Sequence, residues 1–103
     1  MTNLITAAMI LTASWERFSD IGKQTAGGSH YNPKAMTCAT RLWPLGATLL
    51  VRETHNGSQV TVRVTDRPAA RFGATRIDLS AAAFKKLNGL ELGLCEVAVA
   101  RID

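Results

Sequence analysis

The stretch Thr48–Pro68, "TLLVRETHNGSQVTVRVTDRP", holds the strongest local folding signal in the chain. Two alternating segments, Thr48–Thr54 and Gln59–Thr65, flank "HNGS". An Asn-Gly pair between alternating apolar runs predicts a β-hairpin that turns at Asn56-Gly57. The period of two sends Val60, Val62 and Val64 to one face, the core, and Thr61, Arg63 and Thr65 to the other. The second strand must stop at Pro68, which has no N–H for a ladder. A carboxylate, Asp66, therefore stands at the mouth of that strand with Arg67 beside it.

Working outward, Ala7–Trp15 reads as a first strand, Met36–Arg41 as a short second one and Cys95–Ile102 as the last. The segment Glu16–Gly28 is polar and carries Gly22, Gly27 and Gly28, so it reads as loop. Ser80 is placed to cap a helix over "AAAFKKLNG" that Gly89 closes. A second carboxylate, Asp78 in "IDLS", falls at the start of that helix. "PLGATLLVR" (Pro44–Arg52) and "ELGLCEVAV" (Glu91–Val99) share Leu-Gly before an alternating strand, as a duplicated half-barrel would. About six short strands, one hairpin and one short helix indicate a small closed barrel rather than a parallel α/β sheet.

The 103 residues make one domain, 1–103, with no Pro/Ser-rich linker. Apolar residues form 47% of the chain and charged ones 19%, the balance of a globular protein. A net charge of +4 favours an anionic partner. Only Lys85-Lys86 are adjacent among the basic residues, which argues against a nucleic-acid groove. The apolar run Leu4–Ala13 is too short to span a bilayer and lacks a basic segment before it, so no export signal is recognisable. Cys38 and Cys95 either form one disulfide in an oxidising compartment or are small buried residues. Their corresponding places in the two half-motifs favour the pair. No Cys or His spacing suits a metal site, and no cofactor is expected.

"ASW" (13–15), "KQTAGG" (23–28), "YNPKAMTCATRLWPLGATLLV" (31–51), "NGSQVTVRVTDR" (56–67) and "RIDLSAAAF" (76–84), in that order, resemble the rare lipoprotein A-like domains. The resemblance implies a mainly β fold, a six-stranded double-psi β-barrel with one or two short helices. It implies a secreted or periplasmic protein of the cell envelope that acts on peptidoglycan glycan strands, as lytic transglycosylases do. The family's groove aspartate falls on Asp66. Its histidine falls on Thr40, and its two acidic positions fall on Ser29 and Asn32. One of the four is retained, so Asp66 is the catalytic candidate. Ser29, Tyr31, Asn32, Thr40 and Arg67 form the candidate substrate-binding set.

In a lytic transglycosylase an acid protonates the glycosidic oxygen and the C6 hydroxyl closes onto C1, so one carboxyl can serve as acid and then base. A hydrolase ordinarily needs two. A useful acid needs a pKa raised by burial. Asp66 either fills that role or caps the turn before Pro68. Asp78 reads as a structural cap. Tyr31, Trp15 and Trp43 are candidate sugar-stacking faces or packing residues. His30 either replaces the missing imidazole or lies on the surface. Three functions follow: peptidoglycan binding with cleavage, a non-catalytic expansin-like wall-binding module, or an envelope protein-interaction barrel. No nucleic acid and no membrane span are expected, and a monomer is.

Overall fold

A computed structural model of the chain describes residues 8–87 and 93–103. Among these, six strands close into a barrel: β1 (Met9–Trp15), β2 (Thr37–Ala39), β3 (Thr48–Glu53), β4 (Gln59–Asp66), β5 (Arg76–Leu79) and β6 (Cys95–Arg101). One helix, α1 (Ala81–Leu87), follows β5. The ring runs β1-β5-β2-β4-β3-β6. Two neighbours are parallel, β1 with β5 and β2 with β4, and the rest are antiparallel.

This order contains an internal twofold. Exchanging β1 with β4, β2 with β5 and β3 with β6 returns the same ring with the same parallel and antiparallel pairs. The repeat at Pro44–Arg52 and Glu91–Val99 reflects it, because β3 and β6 exchange places and lie side by side, Val51 opposite Val99. Part of the second repeat, residues 91–92, and the helix-closing Gly89 lie outside the described residues.

The hairpin forms where the sequence places it. Val60, Val62 and Val64 are buried with Leu49, Val51, Val97 and Val99 inside the ring. The turn is longer than a two-residue one. Arg52 pairs with Gln59, and the Glu53 amide donates to the Ser58 carbonyl at 2.8 Å. Only Gly57 has positive φ, +76°, so Asn56 is spared the left-handed conformation that a tight Asn-Gly turn demands of both residues. Asn56 instead accepts from the Ser58 amide at 2.8 Å and donates to the Leu87 carbonyl at 2.9 Å, tying the hairpin tip to the end of α1.

Ser80 caps α1 as expected, its hydroxyl accepting from the Ala83 amide at 3.3 Å. Phe84, Ala83 and Leu87 bury the inner face of the helix against the barrel core.

Two expectations change. Arg76–Leu79 is a strand, not the start of the helix: Ile77 and Leu79 point into the core and Asp78 pairs with Ser14 of β1 and Ala39 of β2. And no disulfide joins Cys38 and Cys95. Cys38 lies on β2 and Cys95 on β6, three places apart in a ring of six, so the barrel interior separates them. Cys38 is fully buried, and burial pushes its thiol pKa up. Among the described residues no helix is long and apolar enough to cross a membrane.

Candidate functional site

The site begins with an irregularity in β4. Cys38 of β2 pairs with Val64, but the next residue, Ala39, pairs with Asp66. Thr65 is therefore an extra residue, a β-bulge. Strict alternation would send Asp66 the way of Val62 and Val64, into the core. The bulge breaks that alternation, and Asp66 is half-buried at the barrel rim. Its Oδ1 accepts from the Ala26 amide at 2.9 Å and the Arg67 amide at 2.8 Å. The loop carrying Ala26 is held against the bulge by the Gly27 amide, which donates to the Thr65 carbonyl at 2.9 Å.

Asp66 lines two adjoining cavities. One, of about 350 Å³, also takes in Ser14, Trp15, Glu16, Arg67, Phe72, Arg76 and Asp78. The other, of about 230 Å³, takes in Glu16, Asp20, Lys23, Thr25 and Tyr31. Glu16, Asp20 and Asp66 belong to both, so the two form one trough across the barrel end. A third cavity, about 500 Å³, continues it through Thr25 and Tyr31 to Ser29, His30 and Asn32.

The floor at the far side comes from β1 and β5. Ser14 donates to the Asp78 carboxylate through a short hydrogen bond. Arg76 Nε donates to Ser14 Oγ at 3.2 Å and lies 3.8 Å from Asp78. The Arg76 and Arg71 guanidinium groups each sit over the Phe72 ring, 4.5 and 4.6 Å from its centroid. Asp78 thus serves the trough rather than a helix cap.

Glu16 is the residue that sequence reasoning missed. It follows directly on β1, in the segment read as loop. Its amide donates to the Leu79 carbonyl at 2.8 Å, and its carbonyl accepts from the Tyr31 hydroxyl at 3.1 Å. The carboxyl enters the trough with Oε1 buried and without a hydrogen-bond partner among the described residues. Burial, and then the negative charges of Asp66, Asp78 and Asp20, push its pKa up to about 8. No local pattern announces this; the burial comes from β5 and from Tyr31, far away in sequence.

The other expected residues divide. Arg67 lines the trough, and its guanidinium donates to the carbonyls of Thr40 at 2.6 Å and Trp43 at 2.7 Å. It braces the chain after β2 rather than pairing with Asp66. Thr40 adjoins Asp66 only through the backbone, its amide donating to the Asp66 carbonyl at 3.1 Å. The Thr40 side chain is fully buried and its Oγ1 accepts from the Leu42 amide at 3.2 Å, so it does not face the trough. Tyr31 is 5% exposed, which makes it a strut and not an open stacking face. Ser29 and Asn32 line the third cavity, away from the carboxylates. His30 lines it too, and its Nδ1 donates to the Gly22 carbonyl at 2.7 Å. Trp15 and Trp43 both pack against the core, and Trp15 also lines the trough.

The profile of the family described as lytic transglycolase matches residues 8–99. The chain belongs to that family. It is 43% identical over 96 residues to the endolytic peptidoglycan transglycosylase RlpA of Pseudomonas aeruginosa strain UCBPP-PA14, covering 92% of this chain and 28% of the relative. It is 37% identical over 90 residues to the protein of the same name from Neisseria meningitidis strain Z2491, covering 87% and 37%. The chain thus spans about a third or less of those relatives' length. Among solved structures it resembles an expansin of Clavibacter michiganensis in complex with cellohexaose, with a TM-score of 0.73 at 17% identity, over 93% of this chain and 50% of that one. It also resembles the Streptomyces papain inhibitor, TM-score 0.71 at 25% identity, over 95% and 98%. These likenesses agree with the closed six-stranded double-psi barrel.

Proposed function

We propose that this domain binds peptidoglycan glycan strands along the trough and cleaves them by a lytic-transglycosylase-type reaction in the cell envelope, with Asp66 as a catalytic group. One observation carries the reading: Asp66, where the sequence resemblance puts the family's groove aspartate, stands half-buried in an open trough, fixed through Oδ1 by two backbone amides. The relatives' names give the substrate class. The net charge of +4 suits an acidic wall polymer, and the trough adjoins a further cavity through Thr25 and Tyr31, which extends the space open to a sugar chain.

A non-catalytic wall-binding module is the competing reading. It is favoured by the burial of Thr40 and by the placement of Ser29 and Asn32 outside the trough. Digestion of purified sacculi, read by mass spectrometry, separates the two. Cleavage releases soluble anhydro-muropeptides from the parent and not from Asp66→Asn, while both proteins sediment with sacculi. Sedimentation without release favours the binding module. Neither sedimentation nor release defeats the wall-glycan reading and leaves the protein-interaction barrel.

A further inference from the structure

We propose that Glu16 is the proton-donating catalytic residue of the trough and that Asp66 is its proton-accepting partner, so that this chain carries a two-carboxylate site. The inference rests on the glycan-cleaving reading and assigns it a second residue.

Placement is the first argument. Glu16 follows the last residue of β1, and Asp66 is the last residue of β4. β1 and β4 exchange under the twofold of the ring, so each half of the barrel delivers one carboxylate at the mouth of the equivalent strand. Both line the same two cavities. The second argument is rigidity. Backbone bonds on both sides of Glu16, to Leu79 and from Tyr31, fix where its side chain starts. A catalytic group needs that kind of support.

The third argument is the buried Oε1 with no partner among the described residues. Buried polar atoms are nearly always hydrogen-bonded, and one left over inside a cleft marks a place where a ligand atom completes the set. Burial and three neighbouring carboxylates keep Glu16 protonated at neutral pH, so the atom it offers is a proton. Asp66 differs in kind, because two amides already address one of its oxygens. Two carboxyl groups in unlike surroundings divide into donor and acceptor.

The step balances. The Glu16 carboxyl gives its proton to the glycosidic oxygen as the bond from C1 to that oxygen breaks. The C6 hydroxyl oxygen of the same sugar bonds to C1, and its proton passes to the Asp66 carboxylate. The products are a 1,6-anhydro sugar end and a free hydroxyl on the departing chain. Glu16 is left ionised and Asp66 protonated, and transfer of that one proton back to Glu16 restores the pair. No water or cofactor is consumed.

The test combines sacculus digestion with a titration that needs no substrate. Glu16→Gln, nearly isosteric with the protonated acid, should lower anhydro-muropeptide release by about 10²–10⁴-fold while sacculus binding holds and the thermal midpoint does not fall. The parent should lose activity as pH rises through about 8. Carbon-detected NMR of the Glu16 carboxyl should show titration far above the ordinary carboxylate range, moving down in Asp66→Asn. Parent-like release by Glu16→Gln, or a Glu16 carboxyl that titrates in the ordinary range, overturns the assignment and leaves the glycan-cleaving reading standing. A parent that binds sacculi but releases nothing overturns both.

Discussion

The hydroxyl of Tyr31 donates to the carbonyl of Glu16 at 3.1 Å, and the same oxygen accepts from the Ala81 amide at 3.2 Å. One phenol thus joins the end of β1 to the first turn of α1, beneath the trough. Tyr31→Phe removes both bonds and leaves a buried amide without an acceptor. The expected loss is about 1–3 kcal/mol. For a domain of this size each kcal/mol lowers the thermal midpoint by about 4–8 °C. Calorimetry that shows no lower midpoint would contradict the strut.

Stability should also depend on pH through Glu16. Folded, Glu16 keeps its proton up to about 8; unfolded, it loses it near the ordinary 4.5. Between those values the folded chain binds more protons, so the stability is intact below about 4.5 and declines as pH rises towards about 8. Glu16→Gln has no proton to lose. Denaturant midpoints of parent and variant should therefore diverge with rising pH, the variant becoming the more stable. Parallel curves between roughly pH 5 and 9 would show that Glu16 titrates alike in both states.

Gly27 approaches the bulge so closely that a side chain there would crowd the strand. A Cβ there would meet the Thr65 carbonyl oxygen at 3.0 Å. Gly27→Ala should push the loop from β4, strain the Ala26 bond to Asp66 and cost about 1–3 kcal/mol. Sacculus cleavage should fall with it. Unchanged stability and cleavage would mean that the loop yields without disturbing Asp66.

The cysteines should behave as thiols. Cys38, buried and with its pKa pushed up, should resist alkylation in the folded protein. After unfolding without reductant, two thiols should titrate. A titration of zero would indicate an oxidised pair.

The residues that were legible in the sequence owe their signal to neighbours along the chain. Val60, Val62 and Val64 announce their inward face by alternation, Gly57 announces a turn, and Ser80 announces a cap, all within a few positions. Asp66 was legible because Pro68 ends its strand and because the segments around it resemble a known family. β5 was not. Four residues are too few to show a period, and "DLS" imitates a helix start; what makes Arg76–Leu79 a strand is a parallel partner, β1, more than sixty residues away. Glu16 was hidden for the same reason. In sequence it opens a polar, glycine-bearing segment, and its burial exists only once Leu79 and Tyr31 close around it. The two cysteines do not pair because β2 and β6 are not counterparts: the twofold exchanges β2 with β5, and β2 and β6 lie on opposite sides of the ring.

The interleaved order of the strands bears on how the chain reaches this state. Of the six ladders, only β3 with β4 joins strands adjacent in sequence through a short loop; β1 meets β5 and β6 across most of the chain. Distant partners must be found before their contacts reward the search, which places such topologies among the slower folders. Neither half can close by itself, since each parallel pair takes one strand from the first half and one from the second. β1 and β4, which lead to Glu16 and Asp66, share no ladder, so the two carboxylates come together only through ladders to other strands, most of them between residues far apart in sequence.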